Sequence, residues 1–410
     1  MIRRKEYLDR LIRWREKQLI KVITGVRRCG KSTLFSLYID CLKETGVADE
    51  QIIYINLEDV DNEQLLDYRA LHTYVKDRLC KNKVTFVFID EVQQCPQFEK
   101  AVDSLFIRKN VDVYITGSNA HMLSGELATL LSGRYVEIRM LPLSFAEYLE
   151  FVGVEGNIRE KFSDYLSFGS FPYVAALGRD RSVIRGYIDG IYNTILIKDI
   201  AKREGITDIA VLERIVRFLC GNVGSPVSAK RISDTINSSG RKISVNTVDR
   251  YLQALCDSFL FYKVDRFDIK GRQTLKTLGK YYIVDSGLRD ILVSSGSGDL
   301  GHLLENIVYL ELIRRGYKVN IGKLAEKEVD FIADSVDGLS YYQVSATTLD
   351  ENTLRRELEP LRKISDNHPK FLLTLDEYMP NANFDGIRKM SVLEWLLNEC
   401  RMWSNAPIRA

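Results

Sequence analysis

The chain is poor in the residues that build metal centres and disulfide frameworks. It has four histidines, far apart, and seven cysteines in 410 residues. The cysteines, at 29, 41, 80, 95, 220, 256 and 400, are odd in number and never form a CxxC pair. That argues against a disulfide scaffold and a cysteine-built zinc site. Net charge is as sparse: 58 basic against 56 acidic side chains leave +2. No global basic field therefore marks nucleic acid, and any such surface is a local patch. No stretch approaches membrane-spanning length, and the opening MIRRKEYLDRLIRW is charged from Arg3 on, without the apolar core of a signal peptide. The expectation is a cytoplasmic protein without membrane contact. Internal repeats and low-complexity segments are absent as well.

What remains is ordinary soluble composition, 45% hydrophobic and 28% charged, in a chain too long for one ordinary core. The first third alternates. Apolar, β-branched runs at 18–24, 51–59, 84–91 and 111–118 read as strands, and the stretches between them carry helical spacing. This βαβ pattern predicts an α/β fold with a parallel sheet and helices on both faces. From Leu141 the texture turns helical, and the loop-like GSGD at 296–299 suggests a further boundary. The expected domains are 1–145, 146–210 (a helical lid or linker), 211–295 and 296–410.

Between the first strand and the first helix lies GVRRCGKST, which fits the phosphate-loop pattern G-x4-G-K-[ST]. Gly25 and Gly30 let the backbone turn so that the N–H groups of Gly25, Val26, Arg27, Arg28, Cys29, Gly30, Lys31, Ser32 and Thr33 surround phosphates at a helix N-terminus. Lys31 would neutralise β/γ oxygens and Ser32 would ligate Mg²⁺ with ATP. Asp90 and Glu91 end the apolar strand FVFIDE, at the edge where ligands of open α/β sheets bind. Asp90 is the expected second Mg²⁺ ligand, and Glu91 the group that polarises an attacking water. Ser118 and Asn119, in YITGSNA, either touch the γ-phosphate or orient the water, or else cap the next helix. Arg134, after Gly133, is either an arginine finger, in cis or from a neighbouring subunit, or a surface arginine. Cys29 either exposes the loop to oxidation or is a small filler within it.

The stretches ITGVRRCGKSTL, FIDEVQ, ITGSNA, LSGRYVEIRMLPLSFAEYL, FGSFP and KYYIVDSGL resemble the AAA-type ATPases of bacteria and archaea, of the AAA+ superfamily, that carry a C-terminal domain of uncharacterised function. The resemblance covers nearly the whole chain. It implies a P-loop NTPase, a winged-helix middle and a C-terminal domain similar to restriction endonucleases.

The residues support both later parts. Helical stretches at 212–223, 228–240 and 244–260 precede two strands joined by the basic DIKGRQTLK, the order of a winged helix-turn-helix. In a DNA-reading version Asn246, Thr247 and Arg250 face the major groove, and Lys270, Arg272 and Lys276 meet phosphates from the wing. The alternative is a rigid lid or protein-contact module. The tail reads helix, three strands, helix, strand, as in restriction-endonuclease-like domains. Glu305, Asp330 and Gln343 stand where such a site holds Mg²⁺. Ser345 replaces the usual lysine, which leaves a degenerate metal site, with Lys323 or Lys327 as substitutes, or a fold retained for binding or assembly.

Three functions follow. The first is an ATPase (ATP to ADP and phosphate) that reshapes a DNA-bound or protein-bound assembly, with double-stranded DNA, a protein or further copies of itself as partners. The second is a slow ATP/ADP switch that scaffolds a protein assembly without DNA contact. The third is an ATP-regulated, metal-dependent DNA nuclease.

Overall fold

The computed structural model describes residues 2–118, 131, 133–271, 273–293 and 300–397. Asn119 and Arg272 lie outside the described residues, and so does the side chain of Lys276. The chain divides into two units: Met1–Pro142 with Asn193–Glu204 and Asp257–Leu260, and Leu143–Tyr192 with Gly205–Cys256 and Phe261–Ala410.

The first unit carries α1 (Lys5–Trp14), β1 (Ile20–Thr24), α2 (Lys31–Glu44), β2 (Ile52–Asn56), α3 (Tyr68–Lys76), β3 (Thr85–Asp90), α4 (Phe98–Phe106), β4 (Val111–Gly117) and β5 (Tyr135–Arg139). The strands form one sheet of order β2-β3-β4-β1-β5, parallel throughout. β1, β3 and β4 are buried at every position, which is why they read as continuous apolar runs rather than alternating ones. Side-chain parity sorts the two faces. Val87, Ile89, Val113 and Ile115 pack with Leu71 and Val75 of α3 and Ala101, Val102 and Leu105 of α4. On the other face Phe35 and Tyr38 of α2 meet Phe88 and Tyr114, with ring centroids 4.8–6.1 Å apart. The sheet is thus covered on both sides, as the alternation predicts.

The second unit opens with α5 (Phe145–Val152), α6 (Ile158–Phe168), α7 (Pro172–Ala176) and α8 (Arg181–Thr194). α8 continues into a π-helix, Ile195–Ala201, and a single turn, Lys202–Glu204, both within the first unit. Then come α9 (Ile209–Gly221), α10 (Ala229–Ser238), α11 (Val245–Asp257), β6 (Phe261–Asp268), β7 (Gln273–Ile283), α12 (Ser286–Leu292) and α13 (Leu300–Arg314). The chain continues with β8 (Lys318–Leu324), β9 (Lys327–Ser335), β10 (Gly338–Ser345), α14 (Glu351–Arg362), β11 (Lys370–Thr374), β12 (Ala382–Phe384), β13 (Ile387–Ser391) and α15 (Val392–Leu397). Ser228 caps α10, accepting from Arg231 N.

Its strands form one sheet of order β12-β13-β11-β10-β9-β8-β6-β7. The basic hairpin β6–β7, expected as a separate wing, is therefore continuous with the C-terminal sheet: Arg266, Phe267 and Asp268 pair in parallel with Ile321, Gly322 and Lys323 of β8. Two family stretches interlock beside it. Ser170 of FGSFP donates to Asp285 of KYYIVDSGL from its hydroxyl at 2.7 Å. A Cβ on Gly287 would stand 2.4 Å from the Phe168 carbonyl oxygen, so only glycine fits there. Among the described residues no helix is long and apolar enough to cross a membrane.

Candidate functional site

A parallel sheet brings all its strand ends to one edge. In register, Thr24 lies beside Gly117 and Ile89 beside Ile115. Gly25, Asp90, Glu91 and Ser118, each just past or at a strand end, are therefore gathered at the carboxyl edge of β1, β3 and β4. Gly25 has φ 152°, and a Cβ there would stand 2.1 Å from the Met140 carbonyl oxygen. The loop ends at Gly30, φ 104°, and α2 begins at Lys31. Its first N–H groups have no intrahelical partner and face outward along the axis, with the helix dipole behind them.

Lys31 is buried, 4% exposed. Its Nζ donates to Gly25 O at 3.1 Å and to Ser118 Oγ at 3.0 Å, and lies 3.6 Å from Glu91 Oε1. Ser118 in turn donates to the Glu91 carboxylate at 2.8–2.9 Å. Burial works to raise the Glu91 carboxyl, but Lys31, Gln93 and Ser118 outweigh it and hold it below its ordinary value. Glu91 also adopts φ 52°, a left-handed conformation unusual for a residue with a side chain and typical of functional sites. Thr116 ties the acidic pair together: its hydroxyl donates to Asp90 Oδ1 and accepts from Glu91 N, the latter at 2.9 Å. Tyr54 OH donates to Asp90 Oδ2 at 3.1 Å. Asp90 is fully buried and Ser32 is exposed at the head of α2. A buried carboxylate bonded by hydroxyls, beside an open serine hydroxyl and a lysine, is a donor set that suits Mg²⁺ with a nucleotide phosphate.

The rest of the loop divides by role. Val26 and Cys29 are buried. Burial pushes the Cys29 thiol up, the environment of a small residue that fills the loop. Arg28 is exposed with φ 67°, and Thr33 is exposed on α2. Arg27 makes a two-pronged pair with Asp199, at 3.1 Å for both contacts, and a further one with Glu58 at 3.0 Å. Asp199 belongs to the π-helix. Arg4 closes the loop from behind, donating to Cys29 O at 3.1 Å and Leu141 O at 2.7 Å. Arg4, Tyr54, Thr116 and Asp199 escape a motif search because no spacing links them to the glycines. Only their register or their place in the fold does.

Arg134 is not in this cluster. It is exposed and precedes Tyr135, which pairs with Ile20 at the start of β1. That is the amino edge of the sheet, about 15 Å from the phosphate loop by the rise of β1, with the guanidinium 5.7 Å from the Phe106 ring. The sheet thus holds Arg134 at the opposite end from its own phosphate loop.

The C-terminal candidates sit in the second unit. Glu305 of α13 and Asp330 of β9 face a lysine that sequence reasoning missed, Lys280 of β7. Its Nζ is 3.0 Å from Glu305 Oε1 and 2.6 Å from Glu328 Oε1. Burial works to lower this ammonium, but Glu305, Asp330 and Glu328 outweigh it and raise it above its ordinary value. Burial and Glu305 push the Asp330 carboxyl well up. Gln343 turns its amide nitrogen to Glu357 Oε2 at 2.9 Å, and Ser345 donates to Thr347 O at 2.9 Å. Lys327 pairs with Glu359 instead. The structure does bring these candidates together: Asp330 N donates to Gln343 Oε1 at 3.4 Å, and Lys280 stands beside Glu305 and Asp330.

Of the nucleic-acid candidates, Asn246, Arg250 and Lys270 are exposed. Thr247, part-exposed, is engaged at the helix start: its N–H donates to Ser244 Oγ at 3.1 Å and its hydroxyl lies 2.9 Å from the same oxygen.

The glycine loop, the lysine and the acidic pair at one edge of a parallel sheet are the parts of a P-loop NTPase fold. Residues 17–149 match the model of the AAA domain, and residues 159–297 that of a domain of unknown function (DUF8612). An uncharacterized protein of Haemophilus influenzae is 41% identical over 401 residues, covering 97% of this chain and 99% of its own. One of Methanocaldococcus jannaschii is 30% identical over 335 residues, covering 76% and 71%. The chain belongs to the same family as these two proteins, and its residues 17–149 carry the match to the AAA domain. Among solved structures it is similar to the Walker-type ATPase paby2304 of Pyrococcus abyssi, at TM-score 0.51 and 14% identity, covering 71% of this chain and 96% of that one. This likeness concerns the fold.

Proposed function

We propose that this protein binds and hydrolyses Mg-ATP and couples its nucleotide state to a DNA- or protein-binding module formed by α9–α11 and the hairpin β6–β7. The observation that carries the reading is the Lys31–Ser118–Glu91 cluster at the head of α2. Lys31 is placed to exchange Gly25 O and Ser118 Oγ for phosphate oxygens. Ser32 and Asp90 would hold Mg²⁺, which neutralises phosphate charge when bound. Glu91, ionised at neutral pH, accepts hydrogen bonds and can polarise a water. Ser118 orients that carboxylate. Three helices followed by a hairpin support the winged-helix reading, and exposed Lys230, Arg231, Lys242, Asn246, Arg250 and Lys270 give it a local basic surface in a chain of net charge +2. The exposed Arg134 could act only on nucleotide held by a neighbouring copy.

The test is steady-state ATP hydrolysis with and without double-stranded DNA, beside Lys31→Ala and Glu91→Gln. DNA stimulation lost in both variants supports a DNA-acting machine. Turnover indifferent to DNA directs the search to a protein partner. A slow ATP/ADP switch is the second reading, favoured by the Arg27–Asp199 pair, which ties the phosphate loop to the π-helix. Tight ATP binding with negligible turnover would support it.

A further inference from the structure

The centre at Glu305 contains a cation of its own. Lys280 is 3% exposed, and Glu305 on α13 and Glu328 on β9 hold its Nζ from two sides. Tyr282 shares a face of β7 with Lys280 and donates to Glu305 Oε1 at 2.5 Å. Asp330 shares a face of β9 with Glu328, and its Oδ2 accepts from Val344 N at 2.8 Å. Carboxylates converging from a helix and a strand ordinarily collect a hard divalent ion. In this chain the buried ammonium already stands among them. A divalent ion in the same place would meet it at close range in a poorly screened interior, where like charges repel strongly.

We propose that Lys280 replaces a divalent cation at this centre. Its ammonium balances Glu305 and Glu328 in the folded chain, with Asp330 beside them, so the centre excludes Mg²⁺ and Mn²⁺. Removing the lysine charge converts it into a divalent-cation site. The lysine that a nuclease-type site would take from position 345 is thus supplied from β7, but it is engaged as a counter-ion rather than left to position a water. Metal-dependent cleavage does not reside here.

The experiment titrates the full-length chain, without nucleotide, with Mn²⁺ and follows the free ion by electron paramagnetic resonance. Wild type is expected to take up none below about 1 mM, and Lys280→Ala to bind one ion with a Kd of about 0.1 mM, within the range of carboxylate sites. Adding Asp330→Asn to Lys280→Ala should abolish that uptake, while adding Ser32→Ala should leave it. Should Lys280→Ala not fold, Lys280→Gln, which keeps hydrogen-bond donors without charge, is titrated in its place. Uptake by wild type that Asp330→Asn removes would overturn the proposal. So would neutral variants at 280 that fold and bind no Mn²⁺. The wild-type arm reads out whatever the variants do.

Discussion

Two lysines in this chain are buried to almost the same degree beside glutamates, Lys31 at 4% and Lys280 at 3% exposure, yet they are built for opposite ends. Lys31 rests on three neutral acceptors, Gly25 O, Val26 O and Ser118 Oγ, with a carboxylate further off at 3.6 Å. Those partners can be exchanged for phosphate oxygens without baring a charge, and Ser118 and Gln93 still satisfy Glu91. Lys280 lies between two carboxylates at 3.0 and 2.6 Å, and its departure would strand the buried Glu305, with the part-exposed Glu328 beside it. Burial and charge alone do not tell a ligand site from a structural pair. The chemistry of the partners does, because a buried ion pair resists separation far more than it contributes to net stability.

The comparison can be broken most directly at Lys280. Lys280→Met should destabilise the fold by about 3–5 kcal/mol, the cost of leaving buried charges unpaired, read as a lowered denaturation midpoint. A loss under about 0.5 kcal/mol, the scale of ordinary surface substitutions, would erase the distinction drawn here. Lys31→Ala should act the other way round. It should lower kcat/KM for ATP about 10²–10³-fold, as for removal of one preorganised electrostatic partner, with a smaller change in midpoint than Lys280→Met. Glu91→Gln is the finer cut. Its carboxylate is ionised at neutral pH, so neutralising it should reduce kcat about 10²-fold, within the range for a lost general base, and leave ATP binding intact. An equal fall in ATP affinity would show that Glu91 serves binding instead.

The two centres also differed in how far the sequence exposed them. The phosphate loop was legible because its parts are local: Gly25, Gly30, Lys31 and Ser32 lie within one turn of chain between a strand and a helix. Asp90 was legible because an apolar strand ends on it. The C-terminal centre joins β7, α13 and β9, and nothing in local periodicity announces that Lys280 meets Glu305. The lack of a lysine at position 345 points by sequence proximity to Lys323 and Lys327, whereas the lysine beside Glu305 lies in a strand of the hairpin. The same blindness hid the pairing of β6 with β8, since register between distant strands leaves no local trace. Arg134 shows a related limit: a motif position says nothing about which edge of the sheet it occupies. Element order fared better, because the parallel sheet follows from apolar runs alternating with helical spacing.

A third pair extends the comparison with the smallest expected effect. Lys389 and Asp376 are both buried, 5% and 4% exposed, and lie 2.8 Å apart. This carboxylate depends on more than its lysine, since Thr347 Oγ1 and the N–H and hydroxyl of Thr348 also donate to it. Burial works to raise the Asp376 carboxyl, but these donors outweigh it and hold it at about 2, against an ordinary 3.8. A carboxyl lowered by folding stabilises the fold fully above its unfolded value and loses that contribution as pH falls through the folded one. The loss should therefore develop between about pH 4 and pH 2. Lys389→Met should move it to higher pH, and by less than a sole ion pair would imply, because the hydroxyls remain. Urea midpoints measured from pH 7 down to about pH 2 check this. Coincident pH profiles for wild type and Lys389→Met would show that hydroxyls and backbone alone hold the carboxylate, and would leave Lys280 as the pair on which the comparison with Lys31 rests.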